Sequence, residues 1–222
     1  MSTKTLTQNK AATGPSPEPL RAPRPGMLAY LADVANLITM GGLALSFLAC
    51  WLILSDRPAL GLALAALALV MDYADGWAAR RAVRRNPAFK HFGAHLDCFA
   101  DYVTKGIFPA LFLLTATGLQ MASLPVALLY LMAIAVRYSY EFVPERAHIG
   151  LSPDYMIVFL CLLQLAAPWL GAAFIPMLMA GLLIFAALAV APFPSPKLKR
   201  RTPMGFCLFV LLLAALLVSG GH

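Results

Sequence analysis

Four aspartates stand in sequence otherwise apolar enough to cross a bilayer, and no other feature constrains this chain as tightly. They occupy two stretches, Asp72-Tyr73-Ala74-Asp75-Gly76-Trp77-Ala78-Ala79-Arg80 and Gly93-Ala94-His95-Leu96-Asp97-Cys98-Phe99-Ala100-Asp101. The apolar run Ala59 to Val70 leads into the first, and the second opens a run that reaches Leu114. On a helix of about 3.6 residues per turn, Asp72, Asp75, Gly76, Ala79 and Arg80 fall at i, i+3, i+4, i+7 and i+8, which is one face. Gly93, Asp97 and Asp101 make a second stripe at i, i+4 and i+8. Two such stripes facing each other crowd four like charges, which is tolerable only with a neutralising cation. Carboxylate oxygens suit Mg²⁺ or Mn²⁺, and a pair of such ions would grip a diphosphate.

Composition decides what kind of chain carries these acids. At 61% hydrophobic and 12% charged residues, its 222 residues are too apolar for an ordinary soluble domain and predict an all-α, polytopic membrane helix bundle. Seven apolar runs are expected: Met27–Leu54, Ala59–Val70 continuing into the first aspartate stretch, Gly93–Leu114, Met121–Ala135, Met156–Leu170, Phe174–Val190 and Phe206–Val218. Most approach the roughly twenty residues needed to cross about 30 Å, although the last is short. Residues 1–26 lack the apolar centre of a secretory signal and predict a disordered cytoplasmic tail, with 27–222 as one membrane-embedded domain. The net charge of +7 does not point to nucleic acid. Its Lys and Arg cluster in the tail, from Arg80 to Lys90, at Arg137 and Arg146, and from Lys197 to Arg201, between apolar runs, where they act as topological signals and headgroup contacts. Starting from a cytoplasmic tail, all four clusters and both aspartate stretches fall on the cytoplasmic side. Cys50, Cys98, Cys161 and Cys207 lie singly in apolar runs and read as buried free thiols.

The pattern Asp-x-x-Asp-Gly-x-x-Ala-Arg, a spacer, then Gly-x-x-x-Asp-x-x-x-Asp resembles the signature of the CDP-alcohol phosphatidyltransferases, membrane enzymes of phospholipid synthesis. The spacer from Arg80 to Gly93 is longer than in most members. With Val83 and Pro87 inside it, and with Leu96-Asp97, Asp101-Tyr102-Val103-Thr104 and Pro109-Ala110 after it, the chain is most similar to the bacterial phosphatidylcholine synthases. The resemblance implies a six-helix core, to which the seventh apolar segment would be an addition. It assigns Asp72, Asp75 and Asp97 as metal ligands, and Asp101 as the general base, also near metal. Gly76, Ala79, Arg80 and Gly93 would contact the nucleotide and its phosphates. It further implies transfer of a phosphatidyl group from CDP-diacylglycerol to a small alcohol with release of CMP, in the inner membrane of a bacterium, with the site facing the cytoplasm, among membrane lipids and commonly as a homodimer.

Other residues carry two readings each. Lys105, inside a membrane run, pairs with Asp101 or faces the diphosphate. Asn36 contacts nucleotide or caps the first helix, capping being the plainer reading. Pro109 kinks the third span or ends its regular bonding. Gly76 and Ala79 leave room for a ligand or for helix packing. Arg81, Arg84, Arg85 and Lys90 read as a positive-inside loop, whereas Arg80 is in register with the aspartates. Tyr138, Tyr140 and Phe142 form an interfacial aromatic belt, or some of them, with Glu141, surround a quaternary ammonium. His91 and His148 are placed in polar loops, and His95 as packing or as support to a ligand. Choline is the acceptor these features favour; a tyrosine is usual where Lys105 stands, which weighs against it. Serine is the alternative, with Arg137 and Lys105 for its carboxylate. An ion-coupled transporter is the rival of a different class, since such proteins also bury acids.

Overall fold

A computed structural model describes residues 26–82, 86–144, 149–194 and 202–220. The tail, except Gly26, lies outside the described residues, as do the expectations for Arg84, Arg85, His148 and Lys197–Arg201. The chain is an all-α membrane protein. Its helices are α1 (Val34–Leu54), α2 (Pro58–Arg81), α3 (Pro87–Asp101), α4 (Phe108–Ala116), α5 (Leu124–Tyr140), α6 (Asp154–Leu170), α7 (Phe174–Val190) and α8 (Thr202–Ser219). A π-helical segment, Tyr102–Ile107, joins α3 to α4, so that Pro87–Ala116 is one span. Among the described residues, seven helical runs therefore match the seven apolar runs of the sequence.

Residues 154–190 are helical almost throughout, but a straight helix of that length would measure about 55 Å, against about 30 Å of hydrocarbon. Gly171, at φ 51°, breaks it into α6 and α7. Small residues let the helices close. A Cβ at Gly61 would come 2.6 Å from Ile53 of α1, and one at Gly181 would come 2.3 Å from the Phe159 ring of α6.

Two boundaries differ from expectation. The third span begins at Pro87 rather than Gly93, because Asn86 accepts a hydrogen bond from the Ala88 N–H (2.9 Å) and Pro87 supplies the fixed φ of a first helical residue. His91 is consequently on a helix, not in a loop. Nor is Asn36 the cap of α1. Asp33 is, its Oδ1 accepting from the N–H groups of Ala35 (3.0 Å) and Asn36 (3.3 Å). Asn36 is fully buried and donates to the Tyr30 carbonyl (2.8 Å), tying α1 back to the short 3₁₀ turn Met27–Ala32.

The π segment follows from Pro109. Proline has no N–H for the Lys105 carbonyl, and the Tyr130 hydroxyl of α5 donates to that carbonyl instead (2.5 Å). Thr104, within the segment, meets Ser46 of α1 at 2.5 Å. The carbonyl freed by the proline is thus satisfied from α5, and the segment is held to α1 through the Thr104 side chain.

Before α6 the chain is stapled to the end of α7: the Gly150 N–H donates to the Phe193 carbonyl and the Leu151 N–H to the Leu188 carbonyl, both at 2.9 Å. Gly150 has φ 79°, and a Cβ there would lie 2.3 Å from the Ala189 carbonyl oxygen. Gly150→Ala is therefore expected to cost about 2–4 kcal/mol of stability, read as a lowered unfolding midpoint in detergent. An unchanged midpoint would show that the staple is not needed.

Candidate active site

The C-terminal third of α2 and the whole of α3 bring the two aspartate stripes face to face. One oxygen each from Asp72, Asp97 and Asp101 lie within 4.8 Å of one another. Asp75 joins them around a void of about 10 Å³, room for one water or ion, whose wall includes all four carboxylates with Thr39 and Thr104. Asp75 is buried and accepts a hydrogen bond from the Thr39 hydroxyl of α1. Hard oxygen donors in this number around one small void fit a divalent cation.

Lys105 closes the deep end. Its ammonium has three hydrogens and meets three carboxylates: Asp154 at 2.6 Å, Asp72 at 2.7 Å and Asp101 at 2.8 Å. The side chain is 3% exposed. Of the two readings of Lys105, pairing with Asp101 is present, and the amine has no donor left for a carboxylate of the acceptor. Tyr138 of α5 donates to the other oxygen of Asp101 (3.1 Å), so that carboxylate is held from both sides.

These groups line a cavity of about 510 Å³ that opens past Gly76, Arg80, Arg137, Glu141 and Phe142. Six of the chain's ten Asp and Glu converge on it: Asp72, Asp75, Asp97, Asp101, Glu141 and Asp154. Among the described residues, Arg80, Lys105 and Arg137 are the cations lining it, which leaves a formal excess of three negative charges there. Arg80 lies over Gly76, where a Cβ would come 3.2 Å from its Nη1. Its neighbour Arg81 instead stacks on Trp77, 3.9 Å from the ring centroid. Arg137 pairs with Glu141 (2.8 Å), while its Nε is buried without a hydrogen-bond partner among the described residues.

Not every residue singled out in the sequence reaches the cavity. Ala79 and Gly93 do not line it, and buried Gly93 sits within the helix packing. Tyr138 and Phe142 line the cavity with Glu141, whereas Tyr140 does not, because α5 continues through Tyr140 and turns it to another side. Tyr138 faces Asp101, and Tyr140 lines a separate small hollow with Ile149 and Ala189. His95 is outside the cavity, stacked on Phe142 at 4.4 Å with its Nε2 3.2 Å from that of His91. All four cysteines are free thiols.

Asp154 was not singled out, and it supplies the shortest contact to Lys105. Its other oxygen accepts from Tyr73 (3.0 Å) and Ser152 (2.9 Å). The signal was present, since a lysine inside an apolar run calls for acids and Asp154 heads an apolar helix. What sequence could not supply was the pairing of residues 49 positions apart.

The family model described as CDP-alcohol phosphatidyltransferase matches residues 32–191, well over half of the chain, ending just after α7. No curated protein matches the chain.

Proposed function

Because the chain belongs to the CDP-alcohol phosphatidyltransferase family and carries its acidic cluster as a metal-dependent phosphotransferase, we propose that it transfers the phosphatidyl group of CDP-diacylglycerol to choline. Family membership decides for the enzyme over the ion-coupled transporter. The acceptor rests on one observation: the cavity is over-supplied with negative charge and carries aromatic rings, Tyr73, Tyr138 and Phe142, beside Glu141 and Asp154. A quaternary ammonium suits such a lining.

Charge also supports two ions. An excess of three negative charges, two divalent cations, a diphosphate diester of about two negative charges and one ammonium sum to neutrality, whereas a single ion leaves the site anionic. Asp72, Asp75, Asp97 and Asp101 are the residues that would hold Mg²⁺ or Mn²⁺, which would draw charge from the phosphate under attack. Arg80, with Gly76 clearing space beneath it, would meet the phosphates. Ala79 and Gly93 would act from behind this surface, through packing. Asp101, with Lys105 and Tyr138 fixing its orientation, takes the proton of the acceptor hydroxyl. The freed oxygen bonds to the phosphorus that carries diacylglycerol, the bond to the bridging oxygen breaks, and CMP leaves. The donor's acyl chains explain why the site is built on membrane helices. The Lys and Arg clusters that the sequence sets between apolar runs favour a cytoplasmic orientation, in a bacterial inner membrane, and a homodimer follows from the family alone.

Serine remains the second reading because of the unpartnered Arg137 Nε, which a carboxylate would satisfy. Incubating purified protein with Mn²⁺, CDP-diacylglycerol and labelled choline, serine, glycerol 3-phosphate or inositol in turn separates these. Label from choline is expected in lipid; label from serine with none from choline would overturn the assignment.

A further inference from the structure

The family match ends at residue 191, yet α8 packs directly against the helices that carry the site. Phe206, Val210, Leu213 and Leu217 recur at i, i+4, i+7 and i+11, one stripe, of which the last three are buried. At the head of this stripe the Phe206 ring lies 5.4 Å from that of Tyr73 on α2 and 6.1 Å from that of Tyr155 on α6. Tyr73 follows Asp72 in the chain, and Tyr155 follows Asp154. Phe206 therefore bridges the two helix ends whose aspartates both hold Lys105, while the Tyr73 hydroxyl ties the same ends together through Asp154.

We propose that α8 is a working part of the site: Phe206 braces Tyr73 and Tyr155, which keeps Asp154 in place as the positioning residue for Lys105 and, through it, for Asp101. Asp154 is suited to this because both its oxygens are used, one on the lysine and one on Tyr73 and Ser152. A lysine with only Asp72 and Asp101 would follow any rearrangement of those two. Anchoring from α6 and α8 holds the ammonium still while they engage substrate.

This rests on the phosphatidyl-transfer activity but not on the identity of the acceptor, so CMP release is followed with choline, serine, glycerol 3-phosphate and inositol supplied together. Asp154→Asn is expected to lower kcat roughly 10–100-fold and to leave the KM for CDP-diacylglycerol within about twofold. Phe206→Ala is expected to lower kcat by roughly tenfold, and Phe206→Tyr, which keeps the ring, to restore it. The double variant Phe206→Ala/Asp154→Asn is expected to be no slower than Asp154→Asn alone, because both act through one contact. The same non-additivity is expected in the unfolding midpoint of the metal-free protein in chelator. Should Phe206→Ala fail to fold, the cycle is repeated with Phe206→Leu and Tyr73→Phe. Wild-type kcat in Phe206→Ala, or in Phe206→Leu where that replaces it, or effects that multiply in both readouts, would overturn the proposal.

Discussion

Replacing Asp97 with asparagine is expected to abolish CMP release, by more than about a hundredfold, while leaving the membrane-inserted fold intact or firmer. The two halves of this result have the same cause. Asp97 belongs to the oxygen cluster with Asp72 and Asp101, and its amide replacement is a poorer ligand for a hard cation. Without metal, however, Asp97 is one of the anions that give the cavity its excess of three, and Lys105 does not contact it. Removing that charge relieves repulsion, so the unfolding midpoint in chelator should hold or rise. Mn²⁺ should raise the wild-type midpoint, since a ligand that binds only the folded state stabilises it, and should barely move that of the variant. Full activity in Asp97→Asn would remove the metal site from this part of the protein.

Lys105→Met should behave in the opposite way. Its ammonium is the common partner of Asp72, Asp101 and Asp154, and methionine nearly preserves its shape while removing the charge. Deleting one partner of a buried ion cluster leaves the others uncompensated, at a cost of about 3–5 kcal/mol. The unfolding midpoint in chelator should fall accordingly. Mn²⁺ should recover more stability in this variant than in the wild type, because it would replace the missing positive charge between Asp72 and Asp101. Activity should stay low even with metal, since Asp101, the proposed proton acceptor, has lost the support on one of its oxygens. A midpoint in chelator equal to the wild type would mean that the lysine is not the resident counter-charge. The contrasting signs matter more than either magnitude, because a general loss of packing would lower both variants alike.

Much of this was legible before any coordinates. The all-α membrane architecture and the seven helical runs follow from the lengths of apolar sequence alone, because a bilayer demands internally bonded helices of nearly constant length. The convergence of Asp72, Asp75, Asp97 and Asp101 was equally readable, since helical periodicity places them on two faces that bury only if they meet. The start of the third span was misjudged because a basic spacer containing a proline reads as a loop, while Asn86-Pro87 is a strong local helix start. Asn36 differs for a similar reason, as two polar residues three positions apart compete for one cap and Asp33 takes it.

The sequence by itself determined the helices, the faces that carry acids, and the family's chemistry, because these depend on residues a few positions apart. Only the tertiary structure decided which partners Lys105 would have, that Asp154 and Tyr73 belong with it, and that α8 reaches the same place. Those pairings join helices far apart in the chain. Packing of whole helix faces sets them, through close approaches such as Gly61 on Ile53 and Gly181 on Phe159, and no local pattern records which face will meet which.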